Sequence, residues 1–244
     1  MSVQNSTSAP KALPYFSLKL LFQNSLQTLF SSPITSAIVT ITAIAATLVF
    51  SSPALAFMTV QESNEITPIG KYKLGFEPQA KTSNGNGANF TTFLDAPIND
   101  EFSTRVHLGA GDRDYYVGGS LKWVPIPDYD KQPAIGGKLS VIASREVADG
   151  YFTFTAAPIV SKKFPTDIGV FIPYASVPVS STSGASDTVT NLQLAVGSEY
   201  LHNKADNMTF GAELGFDLKD TFSYASAYVT IYLDEKETKH RLTK

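Results

Sequence analysis

The stretch MTFGAELGFDL, residues 208–218, decides the fold of this chain. Side chains of a β-strand point alternately to two faces, so apolar residues at every second position give a strand one apolar face. That pattern holds here without exception at Met208, Phe210, Ala212, Leu214, Phe216 and Leu218. The residues between them are small, polar or acidic. The stretch therefore predicts a strand with one wholly apolar face.

The same alternation fills most of the chain after residue 70, and no convincing 3.6-residue helical period appears. Beside residues 206–218, we predict strands at 71–77, 102–110, 115–124, 135–145, 151–157, 167–177, 188–201 and 222–233. Residues 88–96, ANFTTFLDA, form a weaker tenth candidate between two turn sequences. Pro158 and Pro173 cannot donate a ladder hydrogen bond, so their strands are expected to end or kink there. About ten strands, or eight as the alternative, fit one closed antiparallel up-and-down barrel.

Composition excludes several other classes of protein. The 244 residues carry 19 Lys+Arg and 22 Asp+Glu, a net charge of -3, which argues against a nucleic-acid-binding surface. There is no cysteine, so disulfides, thiolate metal sites and thiol nucleophiles are excluded. We expect no cofactor and no metal.

Residues 1–56 have the pattern of an export signal. Lys11 and Lys19 are the only charged residues before Glu62, and an uncharged apolar run covers residues 33–50. Ala54 and Ala56 form a small-x-small cleavage signature, so cleavage is predicted after Ala56. An uncleaved membrane helix is the alternative, because the apolar run nearly reaches the roughly 20 residues that span a bilayer. The remaining parts are a polar lead at 57–69, the barrel at 70–233 and a charged tail at 234–244.

Alternation alone does not tell whether the apolar faces contact lipid or a protein core. Two features favour lipid. Charges and glycines share the polar faces, as expected for side chains packed inside a small barrel, and aromatic residues gather near strand ends, as in interfacial girdles. The predicted interior network is Arg105, His107, Lys122, Lys138, Glu199, Glu213 and Asp217. The predicted interfacial aromatics are Tyr72, Phe76, Tyr115, Trp123, Phe210, Phe216 and Tyr232.

With its export signal, its alternating strands and its last strand YASAYVTIYL (residues 224–233), the chain resembles the small outer-membrane β-barrel proteins of Gram-negative bacteria. The resemblance implies outer-membrane lipid and, during biogenesis, the barrel-assembly machinery as partners. Such barrels commonly end on an aromatic residue that this machinery recognises. This sequence departs from that pattern, because residues 234–244 follow Leu233, and Tyr232 becomes the internal candidate. The resemblance leaves the oligomeric state open.

No catalytic motif appears in the sequence. The pairs Asp112/Asp114 and Asp128/Asp130 lack the glutamate of a calcium loop, so ordinary turn chemistry is the preferred interpretation. His107 with Glu213 or another interior acid would be the candidate for an enzyme, but no nucleophile accompanies them. We expect a non-enzymatic outer-membrane barrel with an envelope role, plugged by side chains or forming a narrow pore. A soluble periplasmic or secreted β-barrel or sandwich that binds an apolar ligand or partner, and an outer-membrane enzyme acting on lipid or peptide, remain as alternatives.

Overall fold

The computed structural model describes residues 59–83, 87–112, 114–146, 149–184, 188–205 and 207–234. The predicted export signal and residues 235–244 of the predicted charged tail lie outside these residues, whereas Asp234 of that tail is the last residue of a strand. The strands are β1 (Lys71–Lys81), β2 (Gly87–Pro97), β3 (Phe102–Gly111), β4 (Tyr115–Ile126), β5 (Ala134–Glu146), β6 (Asp149–Ser161), β7 (Phe164–Thr166), β8 (Gly169–Ser176), β9 (Val179–Ser183), β10 (Thr188–His202), β11 (Met208–Lys219) and β12 (Tyr224–Asp234).

All neighbouring strands are antiparallel, and the sheet closes on itself because β12 pairs with β1. Ten strand positions form the ring, since β8 and β9 share one position between β6 and β10, and β7 is a short hairpin partner of β8. The ten-strand closed barrel predicted from the alternation is confirmed, and the eight-strand alternative is wrong. The weak candidate 88–96 is strand β2.

The two prolines do not end their strands, so the expectation that the strands end there is wrong. β6 runs through Pro158, and β8 runs through Pro173. Pro158 lies where β6 faces the gap between β8 and β9, and Pro173 lies just past Ser161–Tyr174, the last pair of β6 with β8. On this side of each proline the ladder is interrupted, which lowers the cost of the missing N–H group, whereas the ladders to Gly137 and Ser198 on the other sides continue.

The barrel is apolar outside and polar inside. On β11, Phe210, Leu214 and Phe216 are 39%, 49% and 44% exposed, whereas Glu213 between them is 1% exposed. The orientation predicted from the charges and glycines is therefore confirmed, and a core that seals these apolar residues away is excluded. No helix among the described residues is long and apolar enough to cross a membrane.

Inward-facing aromatic rings lie over glycines of the neighbouring strand. The directly paired positions are Gly75 with Phe93, Gly109 with Tyr116, Gly197 with Tyr174, Gly211 with Tyr228 and Gly215 with Tyr224. A Cβ atom added to any of these glycines would overlap the facing ring. The glycines on the polar faces thus provide space for rings inside a narrow lumen, which explains why the barrel tolerates their low strand propensity.

We expect Gly215→Ala to lower the free energy of unfolding by about 1–3 kcal/mol, the usual cost of overpacking. The Tyr224 ring cannot move aside easily, because it is 1% exposed and its hydroxyl donates to Glu213. Urea unfolding in detergent measures the change. Gly119→Ala is the matched control, since its Cβ would meet only the Arg105 carbonyl oxygen at 3.5 Å. Equal losses in both variants would contradict the ring-packing explanation.

Candidate functional site

The lumen contains a segment of the chain that is not part of the barrel wall. Residues 59–64 and Thr67 are all buried, although they belong to no strand. Asn64 donates to the carbonyl oxygens of Ala134 and Ile159 near one end of the barrel, and Thr59 donates to Glu77 deeper inside. We call residues 59–67 the luminal segment. The sequence indicated only a polar lead here.

Three cations of the wall surround one carboxylate of the luminal segment. Lys122 Nζ lies 2.7 Å from Glu62 Oε2, Lys138 Nζ lies 3.1 Å from Glu62 Oε1, and Arg105 Nη2 lies 3.6 Å from Oε2. Arg105, Lys122 and Lys138 stand on the neighbouring strands β3, β4 and β5. We call these three residues the basic wall. A buried carboxylate with such partners keeps its charge, because ion pairs replace the lost hydration.

The opposite side of the lumen is acidic. Glu213 on β11 accepts hydrogen bonds from the Val60 and Gln61 amides, both at 2.9 Å, and from the hydroxyls of Tyr174 and Tyr224. Gln61 has a φ of 58°, a left-handed conformation that is uncommon outside glycine. Successive amides next to such a residue form a concave anion-binding nest, and here it holds Glu213.

Glu199 on β10 extends this acidic side. Its Oε2 accepts a hydrogen bond from Ser63 at 2.6 Å, and its Oε1 lies 3.6 Å from the Lys73 ammonium. β4 and β11 are five strand positions apart in either direction around the ring, so the basic and acidic sides face each other. The luminal segment lies between them, with its carboxylate toward the cations and its amide and hydroxyl donors toward the acids. This arrangement satisfies charges on both sides.

Six of the seven predicted interior residues lie in the lumen and are buried: Arg105, His107, Lys122, Lys138, Glu199 and Glu213. Asp217 does not join them. It is exposed at the end of β11, where it accepts a hydrogen bond from the Thr221 amide. The basic wall faces Glu199 and Glu213 across the lumen, but its ion pairs are not made with them. Its acidic partners are Glu62 and Asp95.

Strand parity could have found some of the missed residues. Glu77 shares the inward parity of Lys73 on β1, and Asp95 on β2 is paired directly with both Lys73 and Arg105. Both carboxylates are buried. Glu62 has no such signal, because the luminal segment does not alternate.

His107 lines a small polar cavity together with Thr59, Gln61, Lys138 and Ser140. Its Nε2 is buried and has no hydrogen-bond partner among the described residues. Glu213, its proposed catalytic partner, has both oxygens occupied by the luminal segment and the two tyrosines. Within the described part of the chain, no hydrogen bond joins His107 Nε2 to Glu213 or to another acid.

The predicted interfacial aromatics divide into three groups. Tyr72, Tyr115, Trp123, Phe210 and Phe216 face outward toward the ends of their strands, and Trp123 stacks on Phe102 with ring centroids 6.0 Å apart. Phe76 also faces outward, but it lies at the middle of β1. Tyr232 is wrongly assigned, because it pairs directly with the inward-facing Lys73 and therefore shares its luminal face.

A lysine side chain already occupies the place where a cation would contact Asp128 and Asp130. The Lys162 ammonium contacts Asp128 Oδ1 at 2.5 Å and donates to the carbonyl oxygens of Asp130 and Gln132. Partial burial raises the pKa of Asp128, but the hydrogen bonds from Lys162 and from the Lys163 amide outweigh burial and hold that pKa below its ordinary value. The described residues include no group of three or more His, Asp or Glu side chains placed to bind a metal.

Comparisons with known proteins find similarity of fold alone. No protein-family model matches the chain, and no curated protein matches it. A de novo designed transmembrane β-barrel is 9% identical, with a TM-score of 0.37, and the match covers 69% of this chain and 100% of the design. The N-terminal β-barrel domain of Pseudomonas aeruginosa OprF is 10% identical, with a TM-score of 0.34 and coverage of 68% and 98%.

The β domain of the Bordetella autotransporter BrkA is also 10% identical, with a TM-score of 0.44 and coverage of 67% and 99%. The closed ten-strand barrel of this chain, with its apolar exterior, has the fold that the resemblance drawn from the sequence implies. Any function has to be inferred from this chain's own residues.

Proposed function

We propose that this protein is a closed, non-enzymatic barrel of the Gram-negative outer membrane with a structural role in the envelope. The observation that carries the proposal is the luminal segment, which fills the barrel between the basic and acidic sides. A membrane is the environment that suits the exterior, because soluble proteins rarely expose a continuous apolar surface of this kind. A closed sheet also suits a membrane, since lipid offers no hydrogen-bond partner to an unpaired strand edge.

The filled lumen supports a closed barrel rather than a conducting pore. Lys122 donates to the Ser63 and Glu65 carbonyl oxygens, and Lys138 donates to that of Val60, so the wall holds the segment's backbone as well as Glu62. A chain held in the lumen by several buried ion pairs and hydrogen bonds supports a blocked lumen. The narrow pore considered from the sequence therefore requires that these contacts break.

The hydrogen bonds of Glu213, the candidate catalytic acid, support a non-enzymatic role. Glu213 is a hydrogen-bond acceptor for four donors, which leaves it no free oxygen for proton transfer from His107. A hydrolytic activity that is present in the purified protein and abolished by His107→Ala would overturn this part of the proposal. The partners are outer-membrane lipid and, during biogenesis, the barrel-assembly machinery.

Planar-bilayer recording tests closure. The full chain is expressed with its export signal, recovered from the membrane fraction and checked for a heat-dependent shift in gel mobility, which reports a closed barrel. We expect the protein in the outer-membrane fraction, with a mobility shift and no stable conductance steps. Large, stable steps would overturn the closed barrel, and recovery in the detergent-free soluble fraction would overturn the membrane location.

A further inference from the structure

We propose that the basic wall is a binding site for a small carboxylate anion, which Glu62 occupies in the closed barrel. The inference rests on the proposed function only in taking the barrel as closed by the luminal segment. The anion class follows from the chemistry of the site, because one guanidinium and two ammonium groups converge on two carboxylate oxygens. Buried cations that surround a carboxylate in this way favour an anion at that place, because ion pairs replace the hydration that the charges have lost.

Two lysines of the basic wall lie directly opposite each other on neighbouring strands. Lys122 on β4 and Lys138 on β5 are directly paired across the ladder and both point into the lumen. Like charges at directly opposite positions destabilise a sheet. An anion between the two lysines offsets this repulsion, and Glu62 contacts one ammonium with each oxygen.

The anion between the two lysines comes from the luminal segment and not from the barrel wall. Arg105 has a carboxylate of the wall, because its Nε and Nη2 donate to Asp95 at 2.5 and 2.9 Å. The ion pairs and hydrogen bonds of Lys122 and Lys138 within the described residues run instead to the luminal segment: Glu62 and the carbonyl oxygens of Val60, Ser63 and Glu65. The wall thus presents two ammonium groups that the barrel strands do not neutralise. An acid that is not part of the wall completes the site.

A small cavity lies beside the site. Lys138 lines the polar cavity that also borders His107 and Ser140, and residues of the luminal segment form its other side. Shortening Glu62 would vacate the volume of its carboxylate beside Lys138. Acetate carries the same carboxylate group, so it matches the vacated volume and the two ammonium groups that now contact Glu62.

Chemical rescue tests the site. In full-length protein in detergent, Glu62→Ala should lower the midpoint temperature of the heat-dependent mobility shift by roughly 6–12 °C, since it leaves buried cations without their partner. Sodium acetate should restore at least half of that loss in Glu62→Ala and leave wild type unchanged. Sodium chloride at equal ionic strength should have no such effect. Equal responses to both salts, or no response to acetate, would overturn the site.

Two further variants keep the result specific. Glu65→Ala is the matched control, because Glu65 pairs only with Lys163 at the barrel end and both side chains are partly exposed. It should show no acetate effect. Adding Lys138→Met to Glu62→Ala should raise the acetate concentration needed for rescue roughly tenfold, because one charged donor is lost. An unchanged requirement would place acetate elsewhere and overturn the proposal.

If Glu62→Ala does not assemble in cells, it is refolded from urea into detergent in acetate or in chloride. Acetate-dependent recovery of the folded band supports the site. Failure in both salts, under conditions where Glu62→Gln refolds, overturns it. This outcome is separate from that of the bilayer recording: a wild-type protein that stays closed while acetate has no effect contradicts only the anion site.

Discussion

Replacing Arg105 with methionine should lower the free energy of unfolding of the barrel by about 3–5 kcal/mol, the cost of breaking a buried ion pair by removing one partner. Arg105 is only 2% exposed and donates to Asp95 through two nitrogens and to Gln61 Oε1 at 3.1 Å. Its guanidinium also lies 3.9 Å from the centroid of the Phe93 ring. Methionine fills part of the volume but leaves Asp95 without its main partner. Urea unfolding in detergent measures the difference.

The double variant Asp95→Asn with Arg105→Met separates charge from packing. If the loss arises from an uncompensated carboxylate, neutralising Asp95 in the methionine background should recover about 0.5–3 kcal/mol relative to the sum of the single changes. Lys73 still has Glu199 at 3.6 Å in that background. Strict additivity of the two single losses would contradict the ion-pair explanation and leave only lost packing.

An arginine in place of Leu214 should lower the free energy of unfolding in a phospholipid bilayer by about 2–4 kcal/mol. Leu214 faces outward near the middle of β11, where a lipid-facing charge is most costly. On a water-facing surface the same substitution would usually change stability by no more than about 0.5 kcal/mol. The measurement is reversible unfolding from lipid vesicles, and it distinguishes a hydrocarbon environment from water at this face.

Leu218→Arg is the matched control for depth. Leu218 lies on the same strand and the same outward face, next to Lys219 at the strand end. A charge near the interface costs about 0–1 kcal/mol, so the loss should shrink by a few kcal/mol between the two positions. Equal and small effects at both positions would contradict a membrane-spanning barrel, whatever the fractionation result.

The strands, the inward or outward direction of their side chains and the strand count could be predicted from the sequence, because each depends on local information. Alternation in residues 208–218 assigns every side chain to one of two faces, and the charges and glycines on one of them indicate which face is enclosed. The error at Tyr232 comes from reading proximity to a strand end as a girdle position. Its even-numbered parity, shared with the inward-facing Tyr224 and Tyr228, would have placed it in the lumen.

The continuity of β6 and β8 through their prolines could not be predicted, because it depends on the neighbours. Whether a missing N–H group is costly is decided by what lies opposite, and Pro158 lies opposite a gap in the next strand. The exposed position of Asp217 could not be predicted either, because it also depends on the surrounding structure. Its parity is inward, but β11 has by then reached the barrel end.

What the sequence determined by itself is therefore a closed barrel with a charged interior, since a period of two is a property of each strand alone. Only the tertiary structure decided that Glu62, and not an acid of the opposite wall, neutralises the basic wall. The luminal segment has no repeat that marks it, and its contacts join residues far apart in the chain, such as Val60 with Glu213 and Ser63 with Glu199. Contacts of that kind exist only after the barrel has closed, because closure brings the opposing charges within reach of a single extended segment.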